Sequence, residues 1–308
     1  MEIETKSRNR QIVKGVRLTF LVVLIVFLFS LLTSGIFSFL PPQVPEMISL
    51  VIGAIIAFIG CRPEKGTLFK SNNKMTATGF FVMLGAFMLV RLISELVIAL
   101  LTAVAINEEN VSLETFDSTL NNPLMTFLFM CIVTPVCEEI IFRGCIGSNF
   151  KKYGIKFAMI MSSVLFALYH LNFLQLVSAF IMGTVLFYIA MNYSVKWSIL
   201  FHFINNAMAI TASQLLKDNI ESAAVINGAV YAVEAVFVII ALILMKKDNA
   251  AKKVKDFLGS VRDESGVYKA STLNVWFILI IVVFVIMSAM VFMSLNGTVD
   301  LSAVNAAA

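Results

Sequence analysis

Residues 123–149 read PLMTFLFMCIVTPVCEEIIFRGCIGSN, a run of membrane-spanning length whose only charged side chains are Glu138, Glu139 and Arg143. An ionisable group at the centre of a bilayer costs between roughly 2.5 and 17 kcal/mol by different estimates, so two acids and a base kept there point to chemistry or transport. The only two histidines of the 308-residue chain, His170 and His202, also lie in apolar, membrane-length segments. Five such groups in three spans are the feature the rest of the chain has to explain.

Working outward, the hydrophobic class makes up 59% of the chain, charged residues only 14%, and mean hydropathy is +0.92. That excludes a soluble globular domain. Apolar runs of the roughly 17 to 25 residues a spanning helix needs recur along the chain, without the period-2 alternation of a membrane barrel. The expected fold is all-α, a polytopic transmembrane bundle of about 8–9 spans, with candidate helices near residues 17–39, 47–61, 79–105, 123–149, 156–171, 173–191, 196–213, 223–245 and 274–295. The first run is longer than the apolar core of a signal peptide and no small-residue cleavage site follows it, so it is expected to be retained as a helix.

Lysine and arginine set the orientation. The N-terminal segment holds Lys6, Arg8, Arg10, Lys14 and Arg17; Arg62, Lys65, Lys70 and Lys74 follow the second span; Lys151, Lys152 and Lys156 follow the fourth; Lys246 to Arg262 follow the eighth. The connection between the third and fourth spans carries Glu108, Glu109, Glu114 and Asp117 and no base. This alternation places the N-terminus in the cytoplasm and the C-terminus outside. The net charge of +4 is accounted for by bases facing anionic lipid, so no nucleic-acid partner is implied. Residues 1–245 read as one bundle with its motifs within 123–213, and 246–308 as a basic cytoplasmic connector followed by an additional C-terminal helix.

Other polar features are read as structural. Cys61, Cys131, Cys137 and Cys145 match neither a disulfide framework nor a zinc knuckle and are expected to pack as small apolar residues. Asn110-Val-Ser and Asn296-Gly-Thr match the glycosylation pattern, a triplet common by chance. Arg91 and Glu95, four apart, are expected to neutralise each other, while Glu234 has no local partner and is open to pairing with Arg91 or Arg143 or to lining a cavity. Pro135 removes a donor and is expected to free the carbonyl of Cys131 and kink the helix one turn before the glutamates.

Glu139 and Arg143 share a helix face, acid before base, and can form an ion pair. Glu138 is turned about 100° away with Phe142 at i+4, so it lacks a local countercharge and is free to exchange protons. Phe166 and His170 form one i, i+4 pair, His202 and Asn206 another. Glu138 and His170 are each sixteen residues from Gly154 in the turn between their spans. At 1.5 Å per residue both lie about 20 Å or slightly more from that turn. Counted from Lys196, His202 and Asn206 lie about 9 and 15 Å along theirs, so the four groups converge in depth.

The ordered set Glu138-Glu139-x-x-x-Arg143, Phe166-x-x-x-His170 and His202-x-x-x-Asn206, each on its own span, resembles the CaaX-processing and bacteriocin-processing (CPBP) family of intramembrane endopeptidases. The motifs cover about 70 residues and no motif position departs from the pattern. The resemblance implies that Glu138, helped by His170, activates a water and that His202 and Asn206 hold the oxyanion. Glu139 and Arg143 would support the scaffold, and Phe166 would pack beside the water. It implies a membrane-associated or lipidated peptide substrate, a bacterial cell membrane as the location, and no cofactor or metal. Two readings of other classes stand beside it: a non-catalytic scaffold for bacteriocin self-immunity or regulation of another membrane protein, and a proton-coupled transporter. Glu138, His170 and His202 as zinc ligands is a further alternative, disfavoured by the absence of an HExxH pair.

Overall fold

The computed structural model describes residues 2–35, 40–41, 43–61, 69–70, 72–105, 122–218 and 220–295. The acidic connection at 108–117, both glycosylation triplets, and Arg62 and Lys65 fall outside them. All nine expected helices are present: α1 Glu2–Gly35, α2 Gln43–Cys61, α3 Ala77–Ala105, α4 Pro123–Tyr153, α5 Ile155–Tyr169, α6 Phe173–Asn192, α7 Val195–Asp218, α8 Ala223–Asp248 and, beyond two short helices, α11 Val275–Leu295. Among the described residues, seven are long and apolar enough to cross a membrane: α2, α3, α4, α6, α7, α8 and α11. α5 is apolar but has 15 residues, about 22 Å at the α-helical rise. No strand is formed by the described residues.

α5 and α6 make a tight antiparallel hairpin. Its tip is His170–Asn172, where Leu171 takes φ 51° and the Asn172 side chain accepts from the Leu174 N–H to start α6. The hairpin lies between α4, α7 and α3. Phe142 and Ile146 of α4, Leu165 and Phe166 of α5, and Leu50 of α2 are buried in one apolar cluster; Phe87 of α3, Ile189 of α6 and Phe201 of α7 are buried in another. The lipid-facing pattern appears on α8 and α11, whose Ile239, Leu242, Ile243, Val285 and Ile286 stay exposed. Such apolar outer faces suit a bilayer, where the backbone of each helix is satisfied internally.

α3 and α8 pack closely because Gly85 has no side chain: a Cβ there would run into the Ala241 side chain and the Phe237 carbonyl. The end bearing the α4–α5 and α6–α7 turns is tied by polar links. Asn72 donates from its backbone to the Tyr193 carbonyl and from its side chain to that of Met191, closing the C-terminus of α6.

The basic connector is folded rather than loose. It forms α9 Ala250–Gly259 and α10 Val267–Thr272, and returns to the α4–α5 turn. The Asp263 carboxylate accepts from the Phe157 N–H at 3.1 Å, supplying α5 with an N-terminal cap from more than a hundred residues away. Tyr268 donates to the other oxygen of Asp263. Burial, with the Asp263 carboxylate beside it, pushes the Tyr268 phenol up to about 12, so it stays a donor throughout the physiological range. Gly154, at φ 143°, faces Asp263 with no room for a Cβ. α11 packs on the bundle: Trp276 meets Phe20 of α1 at 5.7 Å with the rings tilted by 46°, and Phe292 meets Phe173 of α6 at 6.1 Å.

Candidate active site

α4 carries the acids and is not a uniform α-helix. It runs in the wider π register over Leu128–Val133 and again over Glu139–Gly147, with an α-helical turn, Thr134–Glu138, between them. π segments are uncommon and gather at functional sites. The first one changes what Pro135 does. The Thr134 N–H donates to the Phe129 carbonyl, five residues back, so the next carbonyl in that register, of Met130, faces the proline that has no N–H. The Met130 carbonyl, one residue before the expected Cys131, is thus left without a donor in this register. The Asn206 side chain on α7 donates to it at 2.7 Å.

Glu139 and Arg143 pair at 2.9 Å with both side chains fully buried. Glu139 also accepts from His202 Nδ1 at 3.0 Å, so one carboxylate anchors a guanidinium on its own helix and an imidazole on α7. Arg143 further donates to the Gly183 carbonyl of α6 and lies over the Phe166 ring, 4.1 Å from its centroid. Phe166 meets His170 edge-on at 4.7 Å and His202 at 5.9 Å, and is 1% exposed. It is the packing block against which both imidazoles are set.

Glu138 turns the other way. With His170, His202, Asn206, Phe166 and Tyr169 it lines a cavity of about 450 Å³ inside the bundle, while Glu139 and Arg143 stand behind the wall. His202 Nε2 is 3.7 Å from the Glu138 carboxylate. His170 Nδ1 lies 2.8 Å from the Phe166 carbonyl. A carbonyl can only accept, so Nδ1 carries the proton and Nε2 of the neutral ring is left as an acceptor. Among the described residues, no three His, Cys, Asp or Glu side chains are arranged to hold a metal ion.

All seven residues singled out by the motifs therefore meet in one place. The cavity wall also holds Arg91, Glu95 and Asn205, which the motif spacing did not bring to the site. Arg91 pairs with Glu95 at 3.1 Å, as its i, i+4 spacing suggests, and with the fully buried Glu234 of α8 at 2.6 Å, which settles the partner of Glu234. Its Nη1 donates to Asn205 Oδ1 at 3.0 Å, and Asn205 Nδ2 donates to Asn206 Oδ1 at 2.8 Å. A buried arginine one helix from a motif asparagine was the available signal.

Residues 120–208 match the family described as Type II CAAX prenyl endopeptidase Rce1-like. The match spans α4 to the middle of α7, the part of the chain that supplies all seven motif residues. No curated protein and no solved structure matched the chain.

Proposed function

We propose that this membrane protein is an endopeptidase that hydrolyses a peptide bond of a membrane-associated or lipidated peptide inside the bundle, using Glu138 to activate water without a metal. The observation that carries this reading is the partly open cavity onto which Glu138, His170, His202 and Asn206 all face. Glu138 accepts a proton from water as the oxygen attacks the scissile carbonyl carbon, with the acceptor Nε2 of His170 helping to hold that water. The carbonyl π electrons move to oxygen, and the oxyanion is met by the Asn206 amide N–H. His202 is tethered at Nδ1 by Glu139 and needs a proton on Nε2 to act as the second donor; Glu138, 3.7 Å away, is placed to exchange one with it. As the tetrahedral carbon collapses, the C–N bond breaks and the proton held by Glu138 passes to the leaving amine.

The test uses the full chain in lipid nanodiscs with a quenched fluorescent farnesylated CaaX peptide and a panel of unprenylated hydrophobic peptides. Glu138→Gln is expected to lower kcat by about 10²–10⁴-fold, the usual contribution of a positioned base. Cleavage should persist in the presence of a strong zinc chelator. Cleavage that survives Glu138→Gln sinks the mechanism, and cleavage lost to the chelator and restored by zinc replaces it with a metal-dependent one. Biological activity that survives Glu138→Gln and His202→Ala assigns the chain to the scaffold class.

A further inference from the structure

Asn206 is useful as an oxyanion donor only if its amide faces the right way, and an asparagine can be turned over at almost no covalent cost. Its orientation is decided by what lies at the two ends of a chain of side-chain hydrogen bonds. At one end is Arg91, which can only donate; at the other is the Met130 carbonyl, which can only accept. Between them stand two carboxamides. Arg91 Nη1 to Asn205 Oδ1 is 3.0 Å, Asn205 Nδ2 to Asn206 Oδ1 is 2.8 Å, and Asn206 Nδ2 to Met130 O is 2.7 Å. Turning either amide over would set oxygen against oxygen or N–H against N–H, so only one direction satisfies all three links.

We propose that Arg91 is a positioning residue: held by Glu234 on α8, it sets the direction of the Asn205–Asn206 relay so that Asn206 turns an N–H toward the chamber. This rests on the reading of Asn206 as an oxyanion donor. Arg91 is held by its other nitrogens, with Nε on Glu234 Oε1 at 2.6 Å and Nη2 on Glu95 Oε1 at 3.1 Å, leaving Nη1 for Asn205. Asn206 has two amide hydrogens. One goes to Met130, and the second is left for the cavity that Asn206 lines. The proline in α4 has a part in this, because it leaves the Met130 carbonyl in need of a donor. Three helices outside the acid-bearing span, α3, α7 and α8, thereby set the polarity of one side chain.

The variant that tests direction is Asn205→Asp. Its carboxylate still receives Arg91 but offers Asn206 an acceptor where Asn205 offered a donor, so the Asn206 amide turns over and presents oxygen to the chamber. Two readouts are taken on the full chain in nanodiscs: the side-chain amide NMR signals of asparagine-labelled protein without peptide, with Asn206 assigned by loss in Asn206→Ala, and cleavage of whichever peptide wild type cuts. Asn205→Asp is expected to move the Asn206 amide signals and to lower kcat by about a hundredfold or more with KM nearly unchanged, the signature of a lost transition-state donor. Arg91→Lys, which still only donates, is expected to keep the wild-type amide pattern and most of the kcat. Arg91→Met combined with Glu95→Gln and Glu234→Gln, which neutralises both carboxylates that Arg91 pairs with, is expected to behave like Asn205→Asp. Unmoved Asn206 signals, or an unmoved kcat, in folded Asn205→Asp overturns the proposal. Failure of the protease reading is separate, because it is read from Glu138→Gln; if wild type cuts no peptide the oxyanion role falls with that reading, while the amide signals still decide the direction of the relay.

Discussion

Glu138 and Glu139 are chemically identical neighbours with opposite surroundings. Glu139 is locked between Arg143 and His202 behind the cavity wall, whereas Glu138 opens into the chamber. The two substitutions should therefore separate by readout. Glu138→Gln removes the proposed base and should leave the thermal midpoint of the purified protein close to wild type. Arg143→Met leaves the fully buried Glu139 without its cation and strips the Phe166 ring of its guanidinium. Breaking a buried pair from one side costs about 3–5 kcal/mol, so thermal unfolding in detergent should drop sharply and activity with it. The pairing of Glu139 with Arg143 and the outward turn of Glu138 were legible from helical spacing alone. The second hold on Glu139, by His202 Nδ1, was not, because it depends on the rotation of an imidazole on a helix more than sixty residues away. The Arg91–Glu234 pair was one of three options for the same reason.

At the scale of elements, helix existence followed from apolar run length, and each span came within a few residues of its expected bounds. α1 is the exception, starting at Glu2 rather than near residue 17, because its polar first turns carry Lys6 and Arg10 yet remain helical. The register inside α4 was hidden. A π segment is chosen by where the freed carbonyls find donors, and the donor for Met130 sits on α7. Pro135→Ala restores an N–H that can serve that carbonyl within α4. It should release Asn206 and lower kcat while the protein stays folded, checked by unfolding and peptide cleavage on the same preparation. Gly85→Val attacks a different joint: its side chain has no space between α3 and α8, so it should pry apart the helices that hold Arg91 to Glu234 and lower the unfolding temperature. Removing the long-range cap of α5 with Asp263→Ala should cost about 1 kcal/mol, the usual worth of a helix cap.

For the whole molecule, charge asymmetry predicts that the α4–α5 turn, the connector and the N-terminus share one side of the membrane. The structure makes that a physical linkage, because Arg8 near the N-terminus meets Glu264 of the connector at 3.1 Å. Single cysteines introduced at exposed Lys252 and at Glu4 in a cysteine-free background should therefore react with an impermeant thiol reagent from the same face of sealed vesicles; labelling from opposite faces would overturn the orientation. The connector's folded state was not legible, since its mixed charge resembles a solvated linker and its value lies in the contacts of Asp263 and Val267. The shortness of α5 has a last consequence. At about 22 Å it falls some 8 Å short of the roughly 30 Å hydrocarbon layer that its neighbours cross. α5 is enclosed by protein rather than by lipid, with Lys156 its one exposed residue, so the shortfall falls inside the bundle, beyond the hairpin tip at His170 where the chamber lies. Room beside Glu138 thus comes from the length of a single helix, cut short among longer neighbours.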